Sequence, residues 1–354
     1  MRSQVTLKDI AKMLGVSVPT VSRALKDYPD ISKETKQKVL NLVKELNYTP
    51  NQFALSLRKN KSFTIGVLIP EIVHHFFSTV ISGIMEVADE KGYSVMLFQS
   101  NESLERESRE AKVMLNGRVD GLLISLSNET QNLDHLSEFE KNDVPIIFFD
   151  KVLAEAKGSK VVVDDFKGGY DATRHLIDQG NTNIAYIRGP LKPLNSIQRF
   201  NGFRQALQDA GLPYNADFIR VCKKVSQEEG YEFTIDLLNQ KTLPDSIFAA
   251  TDNVAIGVMQ AIKEKGLKIP DDIAVVGFSD WRMAAAVEPP LTSVRQPGFD
   301  MGVLAAQTLF DQIDKIENGK SIIHMTQTLD TELIIRKSSV KTLDSIQQTS
   351  KAVT

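Results

Sequence analysis

A stretch near the start of the chain, residues 6–25 (TLKDIAKMLGVSVPTVSRAL), constrains the fold more than any other segment. Its first half has apolar residues at helical spacing, and Gly15 favours a helix end there because glycine adopts left-handed backbone at little cost. Ser17 is suited to cap a second helix, with Pro19 just inside its start, where a missing N–H is no loss. This pattern predicts a helix-turn-helix, whose second helix can lie in a DNA major groove. An ordinary pair of packing helices is the alternative.

Charge is distributed unevenly along the chain. Residues 1–61 hold 12 Lys and Arg against five Asp and Glu, a net charge of +7, so the remainder carries −10 of the overall −3. A basic segment on an acidic body favours attraction of phosphates at one end, although a solvated basic helix pair would have the same composition. The length of 354 residues predicts two or three domains.

Cysteine content and hydropathy bear on the compartment. The single cysteine, Cys222, excludes an internal disulfide bond, so nothing points to an oxidising environment. No apolar run follows Met1 as in a signal peptide, and none approaches the ~20 residues needed to span a bilayer. We therefore expect a cytoplasmic protein.

The remaining pattern divides the chain into segments. A third helix beginning near Ser32 completes a headpiece over residues 1–49, a hinge helix and linker follow over 50–62, and a polar tail is expected over 338–354, disordered or, alternatively, an oligomerising helix. Between them, alternating strands and helices imply parallel sheets covered on both faces, in two lobes with a ligand crevice at the carboxyl ends of the strands. The expected strands are 65–69, 94–98, 121–125, 146–149, 161–163, 184–187, 218–221, 246–249 and 273–276, with closing strands at 324–328 and 331–335.

Several phrases of the sequence carry a family resemblance. They are the stretch at 6–25, NYTPNQFALSLR at 47–58, RFNGF at 199–203, TDNVAIG at 251–257, and IPDDIAVVGFSDW and PPLTSVRQP between 269 and 297. In this order and spacing, over residues 5 to about 337, the chain resembles the LacI/GalR family of bacterial transcription regulators. The resemblance implies a helix-turn-helix headpiece followed by a two-lobed α/β body of the periplasmic-binding-protein type I fold.

The same resemblance implies a domain division and a mechanism. The body, residues 63–337, would have an N-lobe at about 63–162 and 295–325 and a C-lobe at about 163–294 and 326–337. A homodimer would present two headpieces to a near-palindromic double-stranded DNA operator. A small effector between the lobes, expected to be a sugar or sugar phosphate, would control operator affinity and so repress carbohydrate-utilisation genes.

Two other classes of protein are the alternatives to a regulator. A sugar-binding protein, or an enzyme on the same fold, would lack regulatory DNA binding. The sequence contains no HExxH, nucleophile elbow or P-loop and no GxGxxG after a strand, and His74-His75 lacks further ligands at metal-binding spacing. We therefore expect no enzymatic activity, no cofactor and no metal.

The resemblance assigns DNA-contacting positions to the headpiece and hinge. Val18 and Pro19 match base-reading positions and would make apolar contacts, while Arg23 would form a bidentate contact with guanine or, alternatively, clamp a phosphate. Leu57 matches a wedge position whose side chain enters a minor-groove step, and packing beneath the body is the alternative. The full set of expected DNA-binding residues is Thr6, Ser17, Val18, Pro19, Thr20, Ser22, Arg23, Ser32, Tyr48, Asn51, Ala54 and Leu57.

The effector site is expected in the cleft. Arg199 matches an effector-gripping arginine, and Asp150 and Asp252 follow strands at their carboxyl ends, where a helix cap or a loop acid is the alternative. Phe76 and Phe77 would give an apolar platform, with at least one of them in the core. The expected effector-binding residues are Phe76, Phe77, Asp150, Arg199, Asp252, Ser279, Asp280, Trp281 and Gln296.

Some positions depart from the family pattern. Ser279 stands where several members have an acid, and Val225 where some have an aromatic residue. Pro193 and Leu194 replace polar residues. The identity of the effector is therefore not transferable from well-known members.

Overall fold

The computed structural model describes residues 5–46, 48, 61–73 and 75–341. The chain forms two units, one up to Phe63 and the other from Thr64 onward. The hinge positions Asn51, Ala54 and Leu57 lie outside the described residues. Among the described residues, no helix has the length and hydropathy of a membrane-spanning segment.

In its described residues the headpiece contains three helices, α1 (Leu7–Leu14), α2 (Val18–Leu25) and α3 (Lys33–Glu45). Gly15 ends α1 with φ 64°, the left-handed conformation expected there, and the side chain of Ser17 caps α2. The predicted helix-turn-helix is thereby confirmed. One apolar core holds the three helices together, and its buried members are Ile10, Ala11, Val21, Ala24, Val39 and Tyr48.

The body alternates strands and helices as the sequence predicts. Its strands are β1 (Thr64–Ile69), β2 (Ser94–Gln99), β3 (Gly121–Ile124), β4 (Ile146–Phe149), β5 (Ser159–Val163), β6 (Ile184–Arg188), β7 (Ile219–Val221), β8 (Ser246–Ala249), β9 (Ala274–Ser279), β10 (Thr292–Arg295), β11 (Thr326–Leu329) and β12 (Glu332–Ile334). Its helices are α4 (His75–Glu90), α5 (Leu104–Asn116), α6 (Ser137–Lys141), α7 (Asp165–Asp178), α8 (Leu194–Asp209), α9 (Gln227–Leu238), α10 (Asp252–Glu264) and α11 (Gly298–Glu317).

The strands form two six-stranded sheets, one for each lobe. The N-lobe sheet has the order β11-β5-β4-β3-β1-β2, and the C-lobe sheet has the order β12-β10-β9-β8-β6-β7. Neighbouring strands are parallel except β10 and β12, which are antiparallel. The chain therefore crosses between lobes after β5, after β10 and after β11.

The last crossing differs from the sequence-based boundary, whereas the crossings after β5 and β10 lie where they were expected. β11 was expected in the C-lobe, but it pairs with β5 of the N-lobe sheet, Thr326 lying opposite Lys160. The N-lobe consequently extends to Leu329, and only a short connection separates β11 from β12. Helix α11, which returns the chain to the N-lobe, was not predicted, although Met301, Leu309 and other apolar residues recur in it at helical spacing.

The polar tail also begins later than expected. Ser338 and Ser339 are fully buried in the C-lobe. The Ser338 hydroxyl donates to the Val275 carbonyl at 2.6 Å, and the Val275 N–H donates to the Ser338 carbonyl at 2.8 Å. The Ser339 hydroxyl lies 2.7 Å from His175 Nε2. These contacts and the burial of both residues show that Ser338 and Ser339 belong to the lobe.

Candidate functional site

Three of the expected DNA-contacting hydroxyl residues, Thr6, Ser17 and Ser32, cap the headpiece helices. Ser17 Oγ accepts from the Thr20 N–H at 3.2 Å, and Ser32 Oγ accepts from the Thr35 N–H at 3.2 Å. Thr6 caps α1 in a capping box: its side chain accepts from the Asp9 N–H, and the Asp9 side chain accepts from the Thr6 N–H. This capping role does not depend on a phosphate contact. Each cap residue lies at a helix N-terminus, a position that attracts anions.

The exposed face of α2 carries the expected base-reading residues. Val21 and Ala24 point into the core, whereas Val18 and Pro19 are exposed at the start of the helix and Arg23 is exposed one turn later. The Arg23 Nη1 atom lies 2.8 Å from Asp30 Oδ2, and both side chains are about half exposed. An exposed ion pair of this kind is weak, so a base or a phosphate can replace Asp30.

Tyr48 is buried in the headpiece, which the sequence did not predict. It was expected among the DNA-binding residues, but its side chain is 9% exposed and belongs to the headpiece core. Its N–H donates to the Val43 carbonyl at 2.9 Å, closing the end of α3. Only this small exposed fraction of Tyr48 is accessible to DNA.

The body contains a cavity of about 260 Å³ at the carboxyl ends of strands from both sheets. This is close to the lower end of the roughly 300–1,000 Å³ typical of small-molecule sites. Of the expected effector-binding residues, only Asp280 does not line the cavity. Those that do are Phe76, Phe77, Asp150, Arg199, Asp252, Ser279, Trp281 and Gln296.

Arg199 is a buried residue of the cavity wall, and three groups of the protein hold it in place. Its Nε donates to Asp165 Oδ1 at 2.7 Å, its Nη1 donates to the Ala250 carbonyl at 3.0 Å, and its guanidinium stacks on the Phe278 ring 3.6 Å from the centroid. Gly169 permits this arrangement, since a Cβ there would lie 2.3 Å from the Arg199 carbonyl oxygen. Burial raises the pKa of Asp165, and the Arg199 charge opposes that rise.

Asp150 follows β4 and projects into the cavity from the N-lobe. Its backbone adopts φ 56°, which is uncommon for a residue with a side chain and is typical of functional positions. The Asn195 amide, from the C-lobe, donates to Asp150 Oδ1 at 3.4 Å. Burial raises the pKa of Asp150 to about 6, against the opposing effect of Arg199.

Four polar groups lining the cavity are buried and have no hydrogen-bond partner within the described parts of the chain. They are Asn128 Nδ2, Tyr186 Oη, Ser196 Oγ and Gln296 Nε2. A buried polar group without a partner costs about 1–3 kcal/mol, so such groups mark a place where a ligand or water completes the hydrogen bonding. Of these, sequence reasoning identified only Gln296. Tyr186 lies in an apolar strand, a pattern that indicates core, and gave no signal.

The aromatic residues divide between the core and the cavity wall. Phe77 is 4% exposed and contacts Phe76 and Phe149 edge-on, with centroids 5.4 and 6.5 Å apart, so it belongs mainly to the core. Phe76 and Trp281 are half-buried on the cavity wall. The expectation that one of the two phenylalanines is core therefore holds for Phe77.

Most cations of the cavity are neutralised by the protein itself. Lys151 forms an ion pair with Glu102 and donates to Asn128 Oδ1 at 2.9 Å. Arg199 is paired with Asp165. Lys224 is exposed at the cavity wall and has no carboxylate partner in the described ranges.

Asp280 does not reach the cavity. Its carboxylate forms ion pairs with Arg295 at 2.8 Å and Arg336 at 2.6 Å, on the other side of the turn from its neighbours Ser279 and Trp281. The expected ligand contact of Asp280 is therefore replaced by a structural one. Among the residues with described positions, no cluster of three or more His, Cys, Asp or Glu is arranged to hold a metal ion.

Comparisons with known proteins agree with this architecture. Residues 6–51 match the model for bacterial regulatory proteins of the lacI family, and residues 173–339 match the periplasmic binding protein-like domain. The chain is 38% identical over 339 residues to the HTH-type transcriptional repressor PurR of Histophilus somni, covering 96% of this chain and 99% of that one. It is 32% identical over 327 residues to catabolite control protein A of Priestia megaterium, covering 92% and 98%.

Solved structures match over the same length. The lac repressor dimer bound to operator and the anti-inducer ONPF superimposes with a TM-score of 0.83 and 28% identity, covering 96% of this chain and all of that one. The complex of the transcriptional regulator CelR with cellobiose gives a TM-score of 0.71 and 28% identity, covering 94% and 99%. With full-length coverage at such identities and the matching headpiece, the chain belongs to the lacI family of bacterial regulatory proteins.

Proposed function

We propose that this transcriptional repressor binds a near-palindromic operator as a homodimer and that a carbohydrate in the cleft controls its operator affinity. The observation that carries the proposal is the set of buried, unsatisfied polar groups in the cavity beside Asp150 and Arg199. Carbohydrate hydroxyls donate and accept together, so one ring could engage Asp150 as an acceptor and Ser196 or Gln296 as donors.

The aromatic walls support the same class of ligand. Phe76 and Trp281 offer flat apolar surfaces, as one face of a sugar ring requires. Ligand sites of this kind combine apolar walls with a few placed polar groups. The cavity has both.

The charges favour a neutral sugar over a sugar phosphate. Arg199 and Lys151 are already paired with Asp165 and Glu102, so neither offers an uncompensated charge to a phosphate. A phosphate buried beside Asp150 and Glu102 would also be repelled by them. Of the cavity cations, only the exposed Lys224 could meet a phosphate without breaking an ion pair seen in the described structure.

Similar proteins point to two effector classes. One solved relative is described in complex with cellobiose, whereas the Histophilus somni relative is named as a PurR repressor. A purine base is therefore the second candidate, since it is also neutral and flat and would fill the same cavity.

A ligand panel tests the proposal. The purified protein would be screened by thermal shift against monosaccharides, disaccharides, their phosphates, hypoxanthine and guanine. We expect neutral sugars alone to raise the melting temperature, since a ligand at 100 times its Kd stabilises by about 2.7 kcal/mol. The variant Ser196→Ala should weaken the shift, while Leu191→Ala, which removes an exposed side chain, should not.

Other outcomes would overturn it. If only the purines raise the melting temperature, the effector is a purine and not a carbohydrate. Consumption of the sugar without affinity for a DNA fragment upstream of the protein's own gene would favour an enzyme on the same fold.

A further inference from the structure

A strained turn presents two residues to the effector cavity. Ser279 ends β9, and Asp280 and Trp281 follow it. Ser279 and Asp280 have φ 108° and 48°, conformations that L-residues rarely adopt. Such a conformation is unfavourable and persists only where its surroundings hold it. The turn directs Ser279 and Trp281 into the cavity and Asp280 away from it.

Asp252 holds the turn from beneath. Its Oδ2 accepts from the Trp281 N–H at 2.5 Å, and its Oδ1 accepts from the Ser293 hydroxyl at 2.5 Å. The side chain is buried, and the absence of a side chain at Gly277 makes room for it, since a Cβ there would lie 2.3 Å from Oδ1. Both carboxylate oxygens are thus engaged by the protein, although Asp252 lines the cavity.

Asp280 ties the same turn to the segments that cross between the lobes. Its carboxylate accepts from Arg295 Nε at 2.8 Å and from Arg336 Nη2 at 2.6 Å, and its N–H donates to Ser293 Oγ at 2.9 Å. Arg295 ends β10, just before the crossing to α11. Arg336 lies just after β12, which follows the last crossing. The turn is therefore bonded to the chain on the C-lobe side of two of the three crossings.

We propose that Asp252 and Asp280 are positioning residues that hold the turn at 279–281 against the effector and link it to the crossing segments. A ligand that displaces Trp281 then also displaces the attachments of Arg295 and Arg336. That the turn contacts an effector rests on the proposed function, whereas the attachment of the turn by Asp252 and Asp280 does not.

Trp281 is the only tryptophan, so its fluorescence reports the turn directly. The experiment measures emission and acrylamide quenching of the full-length protein without ligand, for wild type, Asp252→Ala, Asp252→Asn and the control Asp178→Ala. Asp178 is an exposed residue whose ion pair with Arg174 lies on the outside of α7. Melting curves establish that each variant is folded.

We expect Asp252→Ala to raise the quenching constant about twofold or more, because the Trp281 N–H loses its acceptor and the strained turn relaxes. Asp252→Asn should restore wild-type quenching, since its oxygen can accept from Trp281 and its amide can donate to Ser293 Oγ. A loss of packing alone would not be rescued in this way. Asp178→Ala should match the wild type.

Equal quenching in wild type and folded Asp252→Ala would overturn the proposal. If that variant fails to fold, Asp280→Asn is measured instead. An asparagine oxygen can accept from only one of the two arginines, so quenching should rise. Unchanged quenching would overturn the proposal. If no carbohydrate binds the wild type, the proposed function fails, but the quenching result stands independently.

Discussion

Arg199 and Asp165 form a buried ion pair between α8 and α7, with 2.7 Å between Nε and Oδ1. The two side chains are less than a tenth exposed, and the guanidinium also stacks on Phe278. Because Asp165 satisfies one side of the guanidinium, Arg199 is fixed in orientation before any ligand arrives. The pair therefore fixes the shape of the candidate effector site, and loss of either partner would leave a buried charge without compensation.

Asp165→Ala should lower the free energy of unfolding by about 3–5 kcal/mol, because it leaves a buried arginine without its carboxylate. Urea denaturation measures this, with Asp178→Ala as the control for loss of an exposed ion pair, expected within about 0.5 kcal/mol of wild type. A loss below about 1 kcal/mol for Asp165→Ala would contradict the structural role.

Leu194 should contribute to the contact between the lobes. It begins α8 of the C-lobe, yet its side chain packs against the N-lobe core and its N–H donates to the Val152 carbonyl at 3.2 Å. Leu194→Ala should therefore weaken carbohydrate affinity, measured by calorimetry, and lower stability by about 1–2 kcal/mol. The matched variant Leu191→Ala removes a 62% exposed leucine from the loop just before α8 and should change neither. Equal effects of the two variants would refute the inter-lobe role.

Stability should depend on pH through Asp252. Burial raises the pKa of this carboxyl from 3.8 to about 7, so the folded protein binds the proton more tightly than the unfolded chain. The free energy of unfolding should then decrease as pH rises from about 4 to about 7, by up to about 1.4 kcal/mol per pH unit, and level off above.

Asp252→Asn does not titrate and isolates this effect from the buried Asp150 and His175. The wild-type melting temperature should rise relative to that of the variant as pH is lowered from 8 to 5. A difference between the two proteins that does not vary with pH would contradict the raised pKa.

Arg23 should determine operator specificity. If it forms a bidentate contact with guanine, Arg23→Ala weakens specific binding by about 1–3 kcal/mol and leaves non-specific binding nearly unchanged. Gel shifts with operator and with unrelated DNA measure both. Equal losses on the two DNAs would instead identify a phosphate clamp. Asp30→Ala removes the ion-pair partner of Arg23 and should strengthen binding slightly.

The sequence predicted the strands well where buried apolar runs are bounded by polar residues, as at 146–149 and 246–249, which match β4 and β8. It misplaced β11, because sheet membership depends on pairing with distant β5 rather than on local pattern. Helix α11 was not predicted, although its apolar residues recur at helical spacing.

In the site, the rule that ligands bind at carboxyl strand ends found Asp150 and Asp252. It did not distinguish Asp280 from its neighbours, because a turn with two positive φ angles reverses which side chains face the cavity. Asn128 and Ser196 were also missed, since an orphaned hydrogen-bond donor is visible only in three dimensions.

The proposed regulation requires that a carbohydrate in the cleft change the affinity of the headpieces for DNA. The most direct test is the operator Kd of the purified protein, at one salt concentration, with the cleft empty and then saturated by the sugar that the panel identifies. We expect a change of about fivefold or more, corresponding to a coupling free energy of roughly 1–3 kcal/mol. Equal operator affinity in the two states would contradict the proposed coupling.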